Sequence, residues 1–290
     1  MADLKPRLLP FAVLAVALVG VSFGSIFARL AAAPALAIAL WRMTFSAAVV
    51  VPMAAATGGS WTRTPRHALA MTAAAGGLLA LHFATWITSL EYTTVASSVL
   101  LVNTAPVFVA LIAWLSGRDR PTARTWAAVG LAVGGAAVIA AADLHDAGST
   151  VGNLLAVAGA AAMGGYLVLA REAQRSLGYL AYVAVAYGTA ASCLWAAVLI
   201  SGTPWSGFPQ ETWLVLGAMA AVSQLIGHGG YNWSLRHLQP AFVAIALTGE
   251  PVLAATLAWF LLGEPVSLLT MLGGGLVLAA ILLAATRARS

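Results

Sequence analysis

Residues 247–264 read LTGEPVLAATLAWFLLGE, and this stretch decides the class of fold. It is apolar enough to lie in a lipid bilayer, yet it carries a carboxylate, Glu250, directly before Pro251. An ionisable residue in such a segment costs about 2.5–3.5 kcal/mol on insertion and usually faces a protein interior or an aqueous path. Proline removes a backbone donor and bends the helix, which frees a carbonyl that needs another partner. We therefore expect a polar, interrupted point within a membrane helix.

The first half of the chain contains a copy of this stretch. Residues 103–117 read NTAPVFVALIAWLSG. Pro106 and the AW pair that follows it lie 145 residues before their counterparts around Pro251, and 145 is half of the 290-residue chain. The sequence thus predicts two repeats, 1–145 and 146–290, with a helix break at each of the two prolines.

The composition excludes a soluble globular protein. The chain is 61% hydrophobic and 8% charged, whereas soluble domains carry about 25% charged residues. The net charge of +5 comes from basic residues scattered between apolar runs, so it indicates loops that flank membrane spans and not a nucleic-acid surface. The single cysteine, Cys193, excludes disulfides and a Cys-based metal site, and we expect it to be a small buried side chain.

Ten apolar runs are long enough to span the hydrocarbon core of a membrane. The runs are 8–29, 36–56, 68–89, 95–115, 124–142, 151–170, 179–200, 212–233, 240–262 and 267–286. The expected fold is an all-α integral membrane protein with ten transmembrane helices, five in each repeat. Because five is odd, the second repeat must enter the membrane upside down, as in many secondary transporters.

Small residues at helix-packing spacing favour a compact bundle. They are Gly20 with Gly24, Gly130 with Gly134, and the glycine run 273–275.

The distribution of basic residues predicts the orientation. If the N-terminus is cytoplasmic, twelve of the 14 basic residues lie in cytoplasmic segments, including the 118–124 loop and the C-terminus. The opposite side then holds one basic residue and most of the acidic ones: Arg29, Glu91, Asp143, Asp146, Glu211 and Glu264. The remaining basic residue, Arg42, lies inside a span. Both termini are therefore expected to be cytoplasmic.

The motifs of the chain resemble the EamA-like transporters of the drug/metabolite transporter superfamily. The family's pattern of EPV, LAW and LGE, followed by a Gly-rich last helix, stands here at 250–252, 257–259, 262–264 and 273–275. Further matching positions are Leu90, Tyr92, Thr93, Ala96, Pro106, Gly117, Gly164, Tyr166 and Arg171. The resemblance covers essentially the whole chain and implies ten helices in two five-helix repeats.

The chain departs from the family in its first span. Phe23 precedes Gly24 where many members have tryptophan, and the span carries no acidic residue. The four-helix small multidrug exporters of the same superfamily place a proton-coupling glutamate there, so their mechanism is not transferred to this chain.

The resemblance implies a transporter of the bacterial inner membrane. We predict a secondary transporter that exports a small metabolite, amino-acid-like or amphiphilic, by alternating access and without a cofactor. Lys5, in the N-terminal tail, is the only lysine, so no Walker A loop for ATP is present. HExxH is absent as well, and no GxSxG elbow is present, because the one match to those letters, residues 20–24, lies inside an apolar run and not at a strand-to-helix turn. Both observations argue against an enzyme. The alternatives are a non-transporting membrane receptor or accessory subunit and an intramembrane enzyme. Substrate, direction of net transport, coupling ion and oligomeric state stay open.

Candidate substrate-binding or coupling residues are the polar and aromatic side chains inside the apolar runs. They are Glu250, Arg42, His82, Trp86, Asn103, His228 and Tyr231. Glu250 could couple transport to protons, bind a cation, or form a buried pair with Arg42. The alternative for Arg42 is a side chain that extends outward beside Trp41.

The other candidates each have a structural alternative. Trp86 and Tyr231 suit either the wall of a cavity or an interfacial aromatic belt. His82 and His228 suit either substrate contact or a satisfied packing role. The polar side chains beside the prolines are placed to satisfy the freed carbonyls; they are Asn103, Thr104 and Thr248.

Overall fold

The computed structural model describes residues 5–57, 65–116, 122–142, 147–234, 237–238, 246 and 249–285. Within these residues, every regular element is a helix. In chain order the helices are α1 (Lys5–Ser22), α2 (Gly24–Leu30), α3 (Ala35–Ala56), α4 (Arg66–Ser89), α5 (Val95–Val102), α6 (Ala105–Leu115), α7 (Ala123–Ala142), α8 (Ala147–Ala173), α9 (Tyr179–Ser201), α10 (Gln210–Ala218), α11 (Gly229–Ser234), α12 (Gly249–Leu262) and α13 (Leu268–Ala285). A π-helical segment, Met219–His228, joins α10 to α11. The all-α prediction is confirmed.

Seven helical stretches are long and apolar enough to cross a membrane. They are Leu8–Leu30, Ala35–Ala56, Arg66–Ser89, Val95–Ile112, Ser149–Ala173, Tyr179–Ser201 and Gln210–Ser234. Three shorter apolar helices accompany them: Trp126–Ile139, Gly249–Leu262 and Leu268–Leu283. The protein is therefore a multi-pass membrane protein. The run predicted at 240–262 lies partly outside the described residues, because α12 is described from Gly249 onward.

The fourth apolar run is interrupted between α5 and α6, directly before Pro106. The side chain of Asn103 donates a hydrogen bond to the carbonyl of Val99 (2.9 Å), and the Thr104 hydroxyl donates to the carbonyl of Leu101 (2.7 Å). Pro106 is the second residue of α6, where a missing backbone donor costs little. Each carbonyl also accepts a backbone N–H, from Asn103 and Thr104 (both 3.1 Å). The two side chains therefore reinforce the end of α5, and the expectation that they satisfy the carbonyl freed by Pro106, which is that of Val102, is wrong. Thr248, the corresponding candidate before Pro251, lies outside the described residues.

Hydroxyl groups within the apolar helices bond to their own backbone. Ser22 donates to the carbonyl of Leu18 (2.8 Å), and Thr72 donates to that of Ala68 (2.7 Å). Each bond runs back one helical turn, a pattern that lets serine and threonine sit inside a helix without water. These residues therefore add polarity to the sequence without creating a polar site.

Helix α1 packs closely against the π segment. A Cβ built on Gly20 would lie 2.8 Å from the carbonyl oxygen of Val222 and 3.2 Å from the Cα of Gly227. Backbones come this close only where neither helix has a side chain at the contact. The predicted pair Gly20 and Gly24 therefore lies at a helix contact.

The second predicted glycine pair does not pack. A Cβ on Gly130 or Gly134 would meet nothing within 4 Å. The close approach of α7 to α13 occurs instead at Gly135, where a Cβ would lie 2.7 Å from the carbonyl oxygen of Gly273. The spacing rule identified the helix but not its rotation, which packing against α13 decides.

Cys193 is exposed on α9, which corrects the expectation of a buried side chain. On the same helix Leu199 is 65% exposed and Ile200 is 87% exposed. In a membrane protein an apolar, exposed surface of this kind faces lipid, so a small apolar side chain needs no protein contact there.

One end of the bundle is tied by ionic contacts. Nε of Arg29 lies 3.0 Å from the carboxylate of Glu264, and its Nη2 donates to the carbonyl of Thr93 (2.8 Å). Glu264 also accepts from the backbone N–H of Val95 (2.9 Å), the first residue of α5. Gly263, with φ of 68°, ends α12 and turns the chain toward this contact. Glu91 joins the same region by accepting from the N–H of Ala35 (2.9 Å).

These contacts bring together three of the residues predicted to share one side of the membrane: Arg29, Glu91 and Glu264. Asp143 and Asp146 lie outside the described residues, as does most of the 118–124 loop.

Candidate functional site

Arg42 is buried in the second turn of α3, with 1% of its surface exposed. Its Nε donates a hydrogen bond to Oε1 of Gln224 in the π segment (2.8 Å). The side chain therefore does not extend outward beside Trp41. Trp41 instead packs edge-on against Trp195 and Trp213, with ring centroids 5.7 and 4.9 Å away.

Aromatic rings of α4 cover the guanidinium of Arg42. Its Cζ lies 4.1 Å from the ring centroid of Phe83 and 5.7 Å from that of Trp86. Cation–π contacts of this kind contribute about 0.5–2 kcal/mol, and more when desolvated. His82 lies parallel to Trp86, with centroids 6.0 Å apart and an interplanar angle of 10°. Trp86 is 5% exposed, so it faces the interior and not a lipid-facing aromatic belt.

The two candidate histidines lie on either side of Phe83. His82 packs against Phe83 at 4.8 Å, and its Nδ1 donates a hydrogen bond to the carbonyl of Gly159 in α8 (3.0 Å). His228, the last residue of the π segment, meets Phe83 edge-on at 5.7 Å. His82 therefore has a satisfied packing contact, while His228 also interacts electrostatically with Arg42.

Glu250 lies half-buried in the first turn of α12. Its carboxylate lies beside the side chain of Asn103 and interacts electrostatically with Arg42. Tyr231, on α11, interacts with the same carboxylate. Glu250 and Arg42 nevertheless form no ion pair; the ion pairs among the described residues are Arg29 with Glu264 and Arg175 with Glu172. The cation and the anion are neighbours without direct contact.

The structure brings all seven candidate residues into one connected group. We call it the central polar cluster: Arg42, His82, Trp86, Asn103, Gln224, His228, Tyr231 and Glu250. Its members come from α3, α4, the break between α5 and α6, the π segment, α11 and α12. Each half of the chain contributes four of the eight residues.

Gln224 and Phe83 were missed by the sequence reasoning. Gln224 is fully buried and is the direct partner of Arg42. It is also the one glutamine inside a predicted apolar run, 212–233, and a polar amide in such a run is the feature that could have identified it from the sequence. Phe83 carries no such signal, because a phenylalanine in a membrane helix is ordinary. Tyr182 and Tyr187 are two further fully buried hydroxyl-bearing side chains nearby.

The cluster offers a cation, a carboxylate and several hydrogen-bond donors inside an apolar bundle. Such groups are expensive in a membrane and mark substrate or ion pathways. Within the described residues, no group of three or more His, Cys, Asp or Glu side chains is placed to hold a metal ion.

Comparison with known proteins identifies the fold and the family of the chain. A solved crystal structure of a protein shares the fold, with a TM-score of 0.66 over 97% of this chain and 98% of the other, at 19% sequence identity. No curated protein sequence matches the chain. The model of the EamA-like transporter family matches twice, over residues 8–141 and over residues 150–286. These two matches cover nearly the whole sequence, and the chain therefore belongs to the EamA-like transporter family.

Proposed function

We propose that the protein is a secondary transporter that moves a small metabolite across the membrane by alternating access, without ATP. The observation that carries this proposal is the central polar cluster, in which buried polar groups from both repeats meet inside an apolar bundle. A site at the boundary between two repeats is where secondary transporters bind their cargo. Rocking one repeat against the other would open such a site to each side in turn.

The helix contacts support two equivalent halves, 1–145 and 146–290. When the spans of the two halves are matched in order, the contact between α4 and α8 corresponds to the contact that α1 makes with the π segment and α11. In the same way, the contact between α6 and α8 corresponds to the contact between α12 and α1. All of these contacts are present in the structure. Three further contacts, α3–α9, α5–α12 and α7–α13, each join a span to its own counterpart. This is the pattern of a two-fold axis between the repeats.

The full proposal has ten spans, with the second repeat inverted. The seven long stretches and the three shorter apolar helices together make ten. Five spans per repeat invert the second half, and the basic residues then favour cytoplasmic N- and C-termini. Helical spans belong to the inner membrane of a bacterium, since its outer membrane uses barrels.

We further propose that the cargo is amino-acid-like or amphiphilic, that net transport is export, and that the protein catalyses no covalent reaction. The aromatic faces of Phe83 and Trp86 beside one cation suit a molecule with an apolar and a polar part.

Flux measured in proteoliposomes tests the function. Purified protein is reconstituted and screened with radiolabelled amino acids, organic acids and amphiphilic amines, with and without an imposed pH gradient. Protein-dependent, saturable flux and counterflow of at least one solute are expected. A complete lack of flux across the screen, with correctly oriented and folded protein, would favour the receptor or accessory role.

Cysteine labelling tests the topology. Cys193 is first changed to Ser, because it is exposed, and single cysteines then replace Thr150 and Ser290. Thr150 is chosen because it is exposed whereas its neighbour Ser149 is 8% exposed. A membrane-impermeant maleimide should reach the two positions from opposite sides of the membrane, position 150 from outside the cell. Labelling of both from one side would rule out the ten-span arrangement.

A further inference from the structure

The guanidinium of Arg42 has hydrogen-bonding capacity that the protein does not use. Arginine carries five N–H donors in a rigid fork and no acceptor. Nε of Arg42 is paired with Gln224, but Nη1 is buried and has no hydrogen-bond partner in the described part of the chain. The rings of Phe83 and Trp86 cover the group without accepting conventional hydrogen bonds. A buried charge normally has its donors paired, because leaving them unpaired is costly.

The groups around Arg42 are also donors without partners. Nε1 of Trp86 and Nε2 of Gln224 are both buried and unpaired, and neither atom can accept a hydrogen bond. The hydroxyls of Tyr187 and Ser223 are likewise buried and unpaired. Tyr187 lies beside both Arg42 and Gln224. Because the two hydroxyls can accept as well as donate, the neighbourhood holds more unpaired donors than acceptors, and within the described residues no carboxylate forms an ion pair with Arg42.

Gly24 marks the place where these groups converge. A Cβ built on Gly24 would lie 3.2 Å from the Trp86 ring, 3.6 Å from Nη1 of Arg42 and 3.7 Å from the Cβ of Ser223. The unpaired Nη1, the indole and the serine thus border one point on α2. The missing side chain at Gly24 lets α2 approach the guanidinium closely, because a Cβ there would already be tight against the Trp86 ring.

The protein's own carboxylate does not fill the need for an acceptor. Glu250 interacts with Arg42 only at a distance and forms no ion pair with it. No other acidic residue lies within the apolar runs of the sequence. The hydroxyls of Tyr187 and Ser223 are too few to accept from all of the unpaired donors, so a further acceptor has to come from a bound molecule or from water.

We propose that Arg42 Nη1, Trp86 Nε1 and Gln224 Nε2 bind a carboxylate group of the transported molecule when the repeats move apart and open this closely packed site. A carboxylate is planar and presents two acceptor oxygens, which suits an arginine fork and an adjacent neutral donor. One cation suits a single negative charge. This inference rests on the proposed transport function and specifies the chemistry of its cargo.

Binding of matched acids and amides tests the inference. Detergent-purified protein is titrated with butanoate and butanamide, with 3-phenylpropanoate and 3-phenylpropanamide, and with inorganic phosphate, while its thermal unfolding midpoint is recorded. A ligand that binds the folded protein raises the midpoint in a concentration-dependent way. At least one acid should raise it, and the amide of the same shape and phosphate should not.

Variants locate the site. Arg42→Gln should weaken binding of the acid by about 10- to 150-fold, the range expected for hydrogen bonds to a charged group. Trp86→Phe keeps the ring and removes the donor, and should weaken binding severalfold. Arg175→Gln is the matched control, because Arg175 is exposed and pairs with Glu172 on the surface. It should bind the acid like the wild type.

Several results would overturn the inference: equal shifts with acids and amides, no shift with any acid, or unchanged binding in both variants of the cluster. If Arg42→Gln does not fold, Trp86→Phe and the acid–amide comparison decide. If water alone is the acceptor, acids should not raise the unfolding midpoint more than the matching amides do. Failure here, together with measurable flux of a neutral or cationic solute, would reject the carboxylate site and leave the transport function standing.

Discussion

Two arginines of the first repeat show how differently one side chain can be used. Arg29 is satisfied by the protein itself, since Glu264 and the Thr93 carbonyl take its donors. Arg42 is more deeply buried, yet it has one protein acceptor, two aromatic faces and an unpaired nitrogen. The first arrangement cross-links α2, α5 and the end of α12. The second leaves unpaired donors at the boundary between the repeats, and we propose that this difference separates a structural cation from a functional one.

The largest difference between the two arginines is expected when each is neutralised in turn and the flux is measured. Arg42→Gln should lower flux of the substrate identified in proteoliposomes by about 10- to 150-fold per folded molecule, because it removes the charge and the unpaired donor from the site. Arg29→Gln should change flux by less than about threefold, since a partly exposed ion pair contributes little. Flux normalised to folded protein by size-exclusion chromatography gives the measurement. Equal losses in the two variants would remove the distinction.

The next test concerns the carboxylate that shares the cluster with Arg42. Glu250→Gln keeps the shape of the side chain while it removes the charge. If Glu250 carries the coupling proton, the variant should fold and lose any stimulation of flux by a pH gradient, because the neutral amide cannot carry a proton. Flux is compared with and without the gradient, and thermal unfolding is recorded in parallel. Normal gradient dependence with a lower melting temperature would assign Glu250 a structural role. Wild-type behaviour in both assays would contradict both roles.

The sequence predicted the elements of this site better than their arrangement. Arg42 and Glu250 stand out because a charge in an apolar run is rare, and His82 and Trp86 because they share one helix face. Their contacts depend on how each helix is rotated, which hydropathy does not reveal. For the same reason the glycine pair at 130 and 134 was placed at a contact that occurs at Gly135.

The π segment lay beyond sequence reasoning for a further reason. It widens the helix locally and brings Gln224 to Arg42 and His228 to Phe83. Its residues, MAAVSQLIGH, are compatible with an ordinary α-helix. π-helical turns are rare and often occur at functional sites. Here the packing against α1 and the hydrogen bond to Arg42 accompany the unusual geometry, and both are tertiary interactions.

A smaller effect is expected at the contact between α1 and the π segment, the element that carries Gln224. Gly20 allows the close approach of these two helices, and Gly20→Ala would place a Cβ 2.8 Å from a backbone carbonyl oxygen. Overpacking of this kind costs about 1–3 kcal/mol. The melting temperature should fall by several degrees. Gly130→Ala is the matched control, because it meets nothing within 4 Å and improves helix propensity. A fall in the control equal to that in Gly20→Ala would show that the close contact is not the cause.

The smallest effect should come from the ion pair at Arg29. Glu264 has two partners, the Arg29 guanidinium and the backbone N–H of Val95 at the start of α5. Glu264→Gln keeps an oxygen for the N–H and removes the charge, so it should cost about 0.2–1 kcal/mol, as for other partly exposed pairs. Glu264→Ala also leaves the N–H of Val95 without its acceptor, which adds about 1 kcal/mol. The difference between the two variants thus measures the cap on α5, and a double-mutant cycle with Arg29→Gln measures the ion pair. A coupling above about 2 kcal/mol would mean that Arg29 is held as strongly as a buried charge, and the contrast with Arg42 would then rest on the unpaired donor alone.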